Sequence, residues 1–198
     1  MAIGSKKSIS NAINLSTSRE YKLHAEKIIL REFNLIKNNF IQSFYSHPVT
    51  KEIAAGPKAS NISGTLGGQG NLFSFIGFPS NAKPLRPIEL LFKKIFINSI
   101  KVQKDGSITN IINYPKAQDV FDVTPMPWAD GLSWAQGIER GITNLGFFMS
   151  IKTDQSRSGE GLQAKNKVQK STFNTRPYIS SMIRDFELSI FRLNNMTL

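Results

Sequence analysis

Two apolar stripes at helical spacing, one towards each end of the chain, place the strongest constraint on its fold. The first is predicted to lie on a long helix of about residues 18–45, opened by a Thr17–Glu20 capping box and ended before Pro48. The second is predicted to lie on a closing helix opened by Arg176-Pro177. The two stripes consist of Ile29, Phe33, Ile36, Phe40 and Phe44, and of Ile179, Met182, Ile183, Phe186, Ile190 and Leu193.

The region between these helices favours strands and turns. Asn71–Phe78 reads as a strand that is apolar on both faces. Phe96–Gln103 and Ser107–Tyr114 flank an Asp-Gly turn and predict a hairpin. Further predictions are a helical turn at Ile88–Phe92, a strand at Val120–Val123, a helix at Leu132–Arg140 and a strand at Leu145–Ile151.

These elements predict a single α+β domain of residues 18–198. We expect a long N-terminal helix, a mainly antiparallel sheet with its hairpin at about 96–114, and a C-terminal helix. Three polar segments are expected to be flexible arms: residues 1–17, the loop 56–70, and 153–170.

Composition excludes several classes of protein. The 198 residues contain no cysteine, which excludes a disulfide scaffold, a thiol nucleophile and a thiolate metal site. No run of 18 apolar residues is present, so no membrane span is expected, and a membrane is not among the expected partners. The formal net charge of +11 predicts attraction to polyanions or to acidic protein surfaces.

A glycine-rich loop leads directly into the strand predicted at 71–78. It reads GPKASNISGTLGGQG at 56–70, a composition that suits either phosphate binding or contact with a neighbouring subunit. A phosphate-binding P-loop needs a lysine and a hydroxyl after its last glycine, and neither follows Gly70. We therefore interpret the loop and the aromatic clusters as subunit contacts, with candidates Ser63, Leu66, Phe73, Phe75, Phe147 and Phe148.

The sequence supports no catalytic, metal or cofactor site. His24 and His47 are more than twenty residues apart, so they lack the spacing of metal ligands, and neither sits in a nucleophilic motif. We therefore expect a protein that is not an enzyme and has no cofactor.

A basic segment follows the last predicted strand. Between residues 152 and 176 it carries six basic side chains against Asp154 and Glu160. Such a segment is suited to non-specific contact with DNA phosphates or to an acidic protein surface. Its candidate contact residues are Lys152, Arg157, Lys165, Lys167 and Lys170.

Three stretches carry a resemblance to a known class of protein. HPVTKEI at 47–53 leads into SGTLGGQGNLFSFIGF at 63–78, and GFFMSIKTDQSRSGEGLQ at 146–163 precedes STFNTRPYISSMIRDF at 171–186. This pattern resembles the virion structural proteins of tailed bacteriophages, in particular the tail-completion, tail-terminator and head–tail connector class. It covers most of residues 18–190 and is one of general arrangement.

The resemblance implies a non-enzymatic protomer of a homo-oligomeric ring around the DNA channel. Its partners would be copies of itself, the portal or adaptor on one side, and the tail tube or sheath on the other. Its location would be the virion, after assembly in the host bacterial cytoplasm. Channel walls of this class are often acidic and this chain is basic, so its positive surface is expected to face an acidic neighbour. The alternatives are a baseplate or other tail component and a basic, non-specific nucleic-acid-binding protein.

Overall fold

The computed structural model describes residues 19–67, 70–103, 107–127, 129–142, 149–152, 160–163 and 173–195. Seven α-helices lie in these ranges: α1 (Arg19–Ser46), α2 (Pro48–Ala55), α3 (Leu72–Ile76), α4 (Arg86–Lys93), α5 (Ala117–Asp122), α6 (Trp134–Arg140) and α7 (Ile179–Asn194). Three antiparallel strand pairs accompany them: β1 (Phe96–Val102) with β2 (Ile108–Asn113), β3 (Pro125–Met126) with β4 (Ala129–Ser133), and β5 (Met149–Lys152) with β6 (Glu160–Gln163). The predicted α+β class is confirmed, although the strands form separate pairs.

Helices α1 and α7 pack against each other and form the centre of the core. In the α1 stripe Ile36 is half-buried and the other four residues are buried, and all six residues of the α7 stripe are buried. The Phe40 ring lies 4.8 Å from that of Phe186 and 4.7 Å from that of Phe92 on α4. Each such side chain contributes about 1.5–3 kcal/mol when it is withdrawn from water. Both predicted helices and their stripes are therefore confirmed.

The corner between α1 and α2 is held by His47. Pro48 ends α1 as predicted and then occupies the first turn of α2, which is longer than the single turn expected at Val49–Ala54. The Val49 N–H donates to Nδ1 of His47 (3.3 Å), and Nε2 donates to the Pro177 carbonyl (3.1 Å). These bonds require the neutral tautomer with its hydrogen on Nε2.

Tyr178 joins the end of α1, α2 and the start of α7. Its side chain is fully buried, and its hydroxyl lies 2.8 Å from that of Thr50. Its ring stacks on Phe44 at 6.3 Å and lies 4.9 Å from the His47 ring. Burial raises the pKa of Tyr178, so the residue remains a neutral hydrogen-bonding group.

The strand predicted at Asn71–Phe78 is wrong, because this segment forms the short helix α3. The Asn71 side chain caps the helix by accepting from the Ser74 N–H (2.9 Å). Gly77 ends it with φ of 85°, a left-handed conformation that glycine adopts readily. Leu72, Phe73 and Ile76 are buried, which is the spacing of one helical face.

The strand predicted at Val120–Val123 is also wrong, because these residues belong to helix α5 and its C-terminal end. The Lys116 N–H donates to the Asp119 carboxylate (2.7 Å) and so begins the helix. Val120 and Phe121 are buried, and the Thr124 hydroxyl donates to the Val120 carbonyl (2.8 Å). Hydrogen bonds from nearby side chains therefore favour a helix over a strand at these residues.

The hairpin predicted at 96–114 is confirmed, with one irregularity. Ile97 pairs with Ile112 and Ser99 pairs with Ile111, so Asn98 is an extra residue in β1. The bulge changes which face each side chain occupies. Ile97 consequently packs against the core, while Phe96, which was predicted to alternate with Ile100 and Val102, is 48% exposed.

The other predicted elements are partly covered by the described residues. The helical turn at Ile88–Phe92 lies within α4, and the helix at Leu132–Arg140 is α6 with Leu132 in β4. β5 falls at the end of the strand predicted at 145–151, and β6 lies inside the segment predicted as an arm. Residues 1–17, 104–106, 153–159 and 164–170 lie outside the described residues.

Stability should fall as the pH is lowered through the titration of His47. Burial lowers the pKa of His47, with the Pro177 hydrogen bond opposing it. The neutral side chain therefore stabilises the fold fully above about pH 6.5, and this contribution is lost as the pH falls towards the lowered pKa. Urea unfolding between pH 7.5 and 5 should show the loss, and His47→Asn, which keeps a capping oxygen, should reduce it. An identical pH slope in His47→Asn would contradict this assignment.

Candidate functional site

The glycine-rich loop is fastened to α2 by a single buried carboxylate. Glu52 is 0% exposed. Its Oε2 accepts from the Ser63 N–H and its Oε1 from the Leu72 N–H, each at 2.7 Å. Hydrogen bonds to a charged group contribute about 1.5–3 kcal/mol each. Glu52 therefore holds the middle of the loop at Ser63 and the start of α3 at Leu72.

The C-terminal segment before α7 lies across this loop. The Asn174 N–H donates to the Thr65 carbonyl (2.9 Å) and its side-chain amide donates to the Gly64 carbonyl (3.2 Å). Gly64 has a φ of +66°, and a Cβ there would lie 2.9 Å from Nη2 of Arg176. The backbone conformation therefore favours glycine at this position, whereas the Arg176 side chain could move aside for a Cβ.

Three of the predicted subunit contacts belong to the protomer's own core. Ser63, Leu66 and Phe73 are 5%, 9% and 2% exposed. The Ser63 hydroxyl is also bonded to that of Thr65 at 2.9 Å. We correct their assignment, because a side chain that its own chain covers offers no surface to a neighbour. In the predicted arm at 56–70, Ser63, Thr65 and Leu66 are buried, and the flexibility of the segment stays a prediction.

The remaining predicted contacts are placed differently. Phe75 is half-buried, with its ring stacked on Phe173 at 6.0 Å. Lys152 is the last residue of β5 and pairs with Glu160 in β6. The other candidates, Phe147, Phe148, Arg157, Lys165, Lys167 and Lys170, lie outside the described residues.

A cavity of about 750 Å³ opens beside the loop junction. Its apolar wall includes the buried side chains of Ile53, Phe73 and Leu85. Its rim carries Lys83 and Arg86, with Glu89 as the one carboxylate. We call this space the junction pocket.

The charges on the rim of the junction pocket are partly neutralised. An Arg86 nitrogen lies 3.6 Å from a Glu89 oxygen, and the Tyr45 side chain also hydrogen-bonds to Glu89. Burial, followed by the charge of Glu89, raises the pKa of Tyr45. Lys83 has no acidic partner among the described residues, so one cation remains free at the rim.

An exposed surface that the sequence analysis missed lies on the outer side of α7. Leu188 and Phe191, one helical turn apart, are 50% and 67% exposed. The exposed Arg184 and Arg192 lie four residues before and after Leu188. These four residues are the outer face of α7. Apolar residues left over from the buried stripe were the signal in the sequence that would have found it.

The neighbouring Glu187 anchors α7 to the segment between β2 and α5. One carboxylate oxygen accepts from Lys116 Nζ (2.7 Å) and from the Tyr114 hydroxyl (3.1 Å). The hydrogen bond from Lys116 lowers the pKa of Glu187 and the same bond raises the pKa of Lys116. The charge of Glu187 is thus engaged within the protomer, whereas Arg184 and Arg192 make no ion pair within the described ranges.

The described part of the chain contains neither a metal-binding cluster nor a membrane-spanning helix. No three His, Cys, Asp or Glu side chains there lie close enough together to hold a metal ion. No helix among those residues combines the length and the apolar character needed to cross a membrane.

No family model, curated protein or solved structure matches this chain.

Removing the Glu52 carboxylate should destabilise the protein. Glu52→Ala leaves two buried N–H donors unpaired and should lower the free energy of unfolding by about 3–5 kcal/mol. Glu52→Gln retains one acceptor but turns an NH₂ group towards a donor, and should cost about 2 kcal/mol. Urea unfolding at pH 7 measures both, with the exposed Glu20→Gln as the matched control. A Glu52→Gln loss equal to that of the control would contradict the anchoring role.

Phe73 and Phe75 should differ in their effect on folding. Phe73→Ala empties a buried position and should lower the free energy of unfolding by about 3–5 kcal/mol. Phe75→Ala removes a half-buried ring and should cost about 1–2 kcal/mol, because part of that ring already contacts water. Thermal unfolding of both variants tests this order, and equal losses would show that Phe73 is not a core residue.

Proposed function

We propose that this protein is a structural protein of a tailed-bacteriophage neck or tail, of the tail-completion, tail-terminator or connector class. It assembles as a homo-oligomeric ring that joins head and tail. The class comes from the sequence resemblance, and the geometry supports its central requirement, a protomer with exposed surfaces suited to assembly.

The outer face of α7 is the observation that carries the proposal. An exposed phenylalanine and leucine, flanked by two arginines that form no ion pair among the described residues, make the kind of surface found at protein interfaces. Aromatic residues and arginine are the side chains that most often dominate binding energy there. The face is independent of the core, since the buried stripe of α7 points the other way.

A ring also needs a second, different surface on each protomer, because head-to-tail contacts close by rotation. Leu23 and Leu30, two turns apart on one side of α1, are 56% and 46% exposed and offer such a surface. We propose that the outer face of α7 of one copy contacts this part of α1 in the next copy. The buried core is then unchanged by assembly.

The ring contact is tested by blocking each surface separately. Phe191→Ser and Leu30→Ser should each convert oligomers to smaller species in sedimentation velocity. Mixing the two variants should restore a dimer, because each still carries the surface that the other lacks. Leu132→Ser, at a 55% exposed leucine in β4, is the matched control and should leave the ring intact. A wild-type protein that stays monomeric, both free and in purified particles, would refute the ring.

Non-specific nucleic-acid binding is a second candidate, favoured by the net charge of +11. Salt separates the two functions. Association through apolar side chains should persist at 1 M NaCl, whereas binding to DNA should fall steeply between 50 and 200 mM. Particle images that place the chain relative to the portal and the tail then distinguish the neck from a baseplate.

A further inference from the structure

We infer that the junction pocket is a docking site for an acidic peptide segment of a partner protein, one that carries a bulky apolar side chain beside a carboxylate. The inference deepens the proposed function by naming the chemistry of a partner. It rests on the proposed function in one respect only, namely that the partner is a protein.

The size and walls of the pocket favour a peptide. A volume of about 750 Å³ falls in the range of sites that enclose small molecules or a few residues. The buried Ile53, Phe73 and Leu85 provide an apolar wall that would receive an aliphatic or aromatic side chain. A nucleic-acid backbone would instead need a continuous basic track, and this rim includes Glu89.

The charges of the rim select an acidic occupant. Glu89 is already engaged by Arg86 and by Tyr45, so it offers little charge to a ligand. Lys83 is exposed and has no acidic partner in the described part of the chain. A carboxylate on the occupant would pair with Lys83, and its neighbouring apolar side chain would enter the pocket.

The wall of the pocket is held by hydrogen bonds within the protomer. Phe73 lies on α3, which is capped by Asn71. The Asn71 amide in turn donates to the carbonyl of Pro57, another lining residue, at 3.0 Å. Glu52 holds the same junction from beneath. A preformed site loses less entropy when a ligand binds.

The test uses three synthetic peptides and the full-length protein. Their sequences are acetyl-Gly-Asp-Leu-Glu-Gly-amide, the same peptide with Ser in place of Leu, and the same peptide with Lys in place of both acids. In ¹H–¹⁵N NMR titrations the first peptide should shift the backbone amide signals of non-proline lining residues, among them Ala54, Ala55, Gly56, Lys83, Leu85, Arg86 and Glu89. The serine and lysine peptides should bind on the order of tenfold more weakly or not at all, since each lacks one half of the recognition.

Two variants locate the binding. Lys83→Glu should weaken the acidic peptide on the order of tenfold through charge reversal. Ala82→Trp should fill the pocket and weaken binding of the acidic peptide without a change in charge. Lys101→Glu, an equally exposed lysine on β1, is the control and should have no effect.

Three results would overturn the inference: no shifts with the acidic peptide, equal shifts with the serine peptide, or displacement of the peptide by a deoxythymidine decamer. The ring is judged separately, by sedimentation of Phe191→Ser. A protein that binds the peptide but does not oligomerise would therefore refute the ring and support the pocket. A protein that oligomerises but does not bind the peptide would refute the pocket and support the ring.

Discussion

The Glu52 carboxylate accepts backbone hydrogen bonds from two later segments, at Ser63 and at Leu72, and so ties the glycine-rich loop and the start of α3 to α2. Burying a charged group is costly unless hydrogen bonds compensate it, and here two 2.7 Å bonds do so. They fix the start of α3, and with it the Phe73 wall of the junction pocket. The loop between them then receives Asn174, which leads the chain into α7. The hydrogen bonds of Glu52 thus help to position two parts of the core, α3 and the segment that leads into α7.

The start of α7 depends on similar polar contacts from other elements. The Glu139 carboxylate of α6 accepts from the N–H and the hydroxyl of Ser180, each at 2.6 Å, and the Pro177 carbonyl accepts from His47. Such bonds satisfy backbone donors at a helix start that would otherwise be unpaired. The rest of α7 is held by its apolar stripe and by Glu187. Its outer face remains exposed because the bonds from Glu139 and His47 lie at the start of α7, and Glu187, beside this face, bonds to Lys116 and Tyr114.

The sequence correctly predicted those elements whose apolar residues keep one spacing over many residues or whose turn has a clear signal. Both terminal helices carry five or more apolar residues at one spacing, and the hairpin has an Asp-Gly signal, so these predictions were right. Asn71–Phe78 failed because five large apolar residues in eight fit either period, and the capping by Asn71 and Gly77 decided for a helix. The bulge at Asn98 could not be read from the sequence, since it depends on how β1 pairs with β2. Of the candidate contacts, Ser63, Leu66 and Phe73 were misplaced because sequence does not show which side of a loop is covered.

The pairing of α1 with α7 has a consequence for the order of events during synthesis. The Phe40–Phe186 contact joins residues separated by most of the chain, so α1 leaves the ribosome long before its partner exists. Until α7 is made, the part of the α1 stripe that packs on α7 stays exposed or is sheltered by a chaperone, whereas Phe40 and Phe44 can already contact Phe92 of α4. Contacts of such long range slow folding and prolong the lifetime of sticky intermediates. The last helix therefore acts as the closing step of folding, and a chain truncated before Ile179 would leave the α7-facing part of the α1 stripe exposed to solvent.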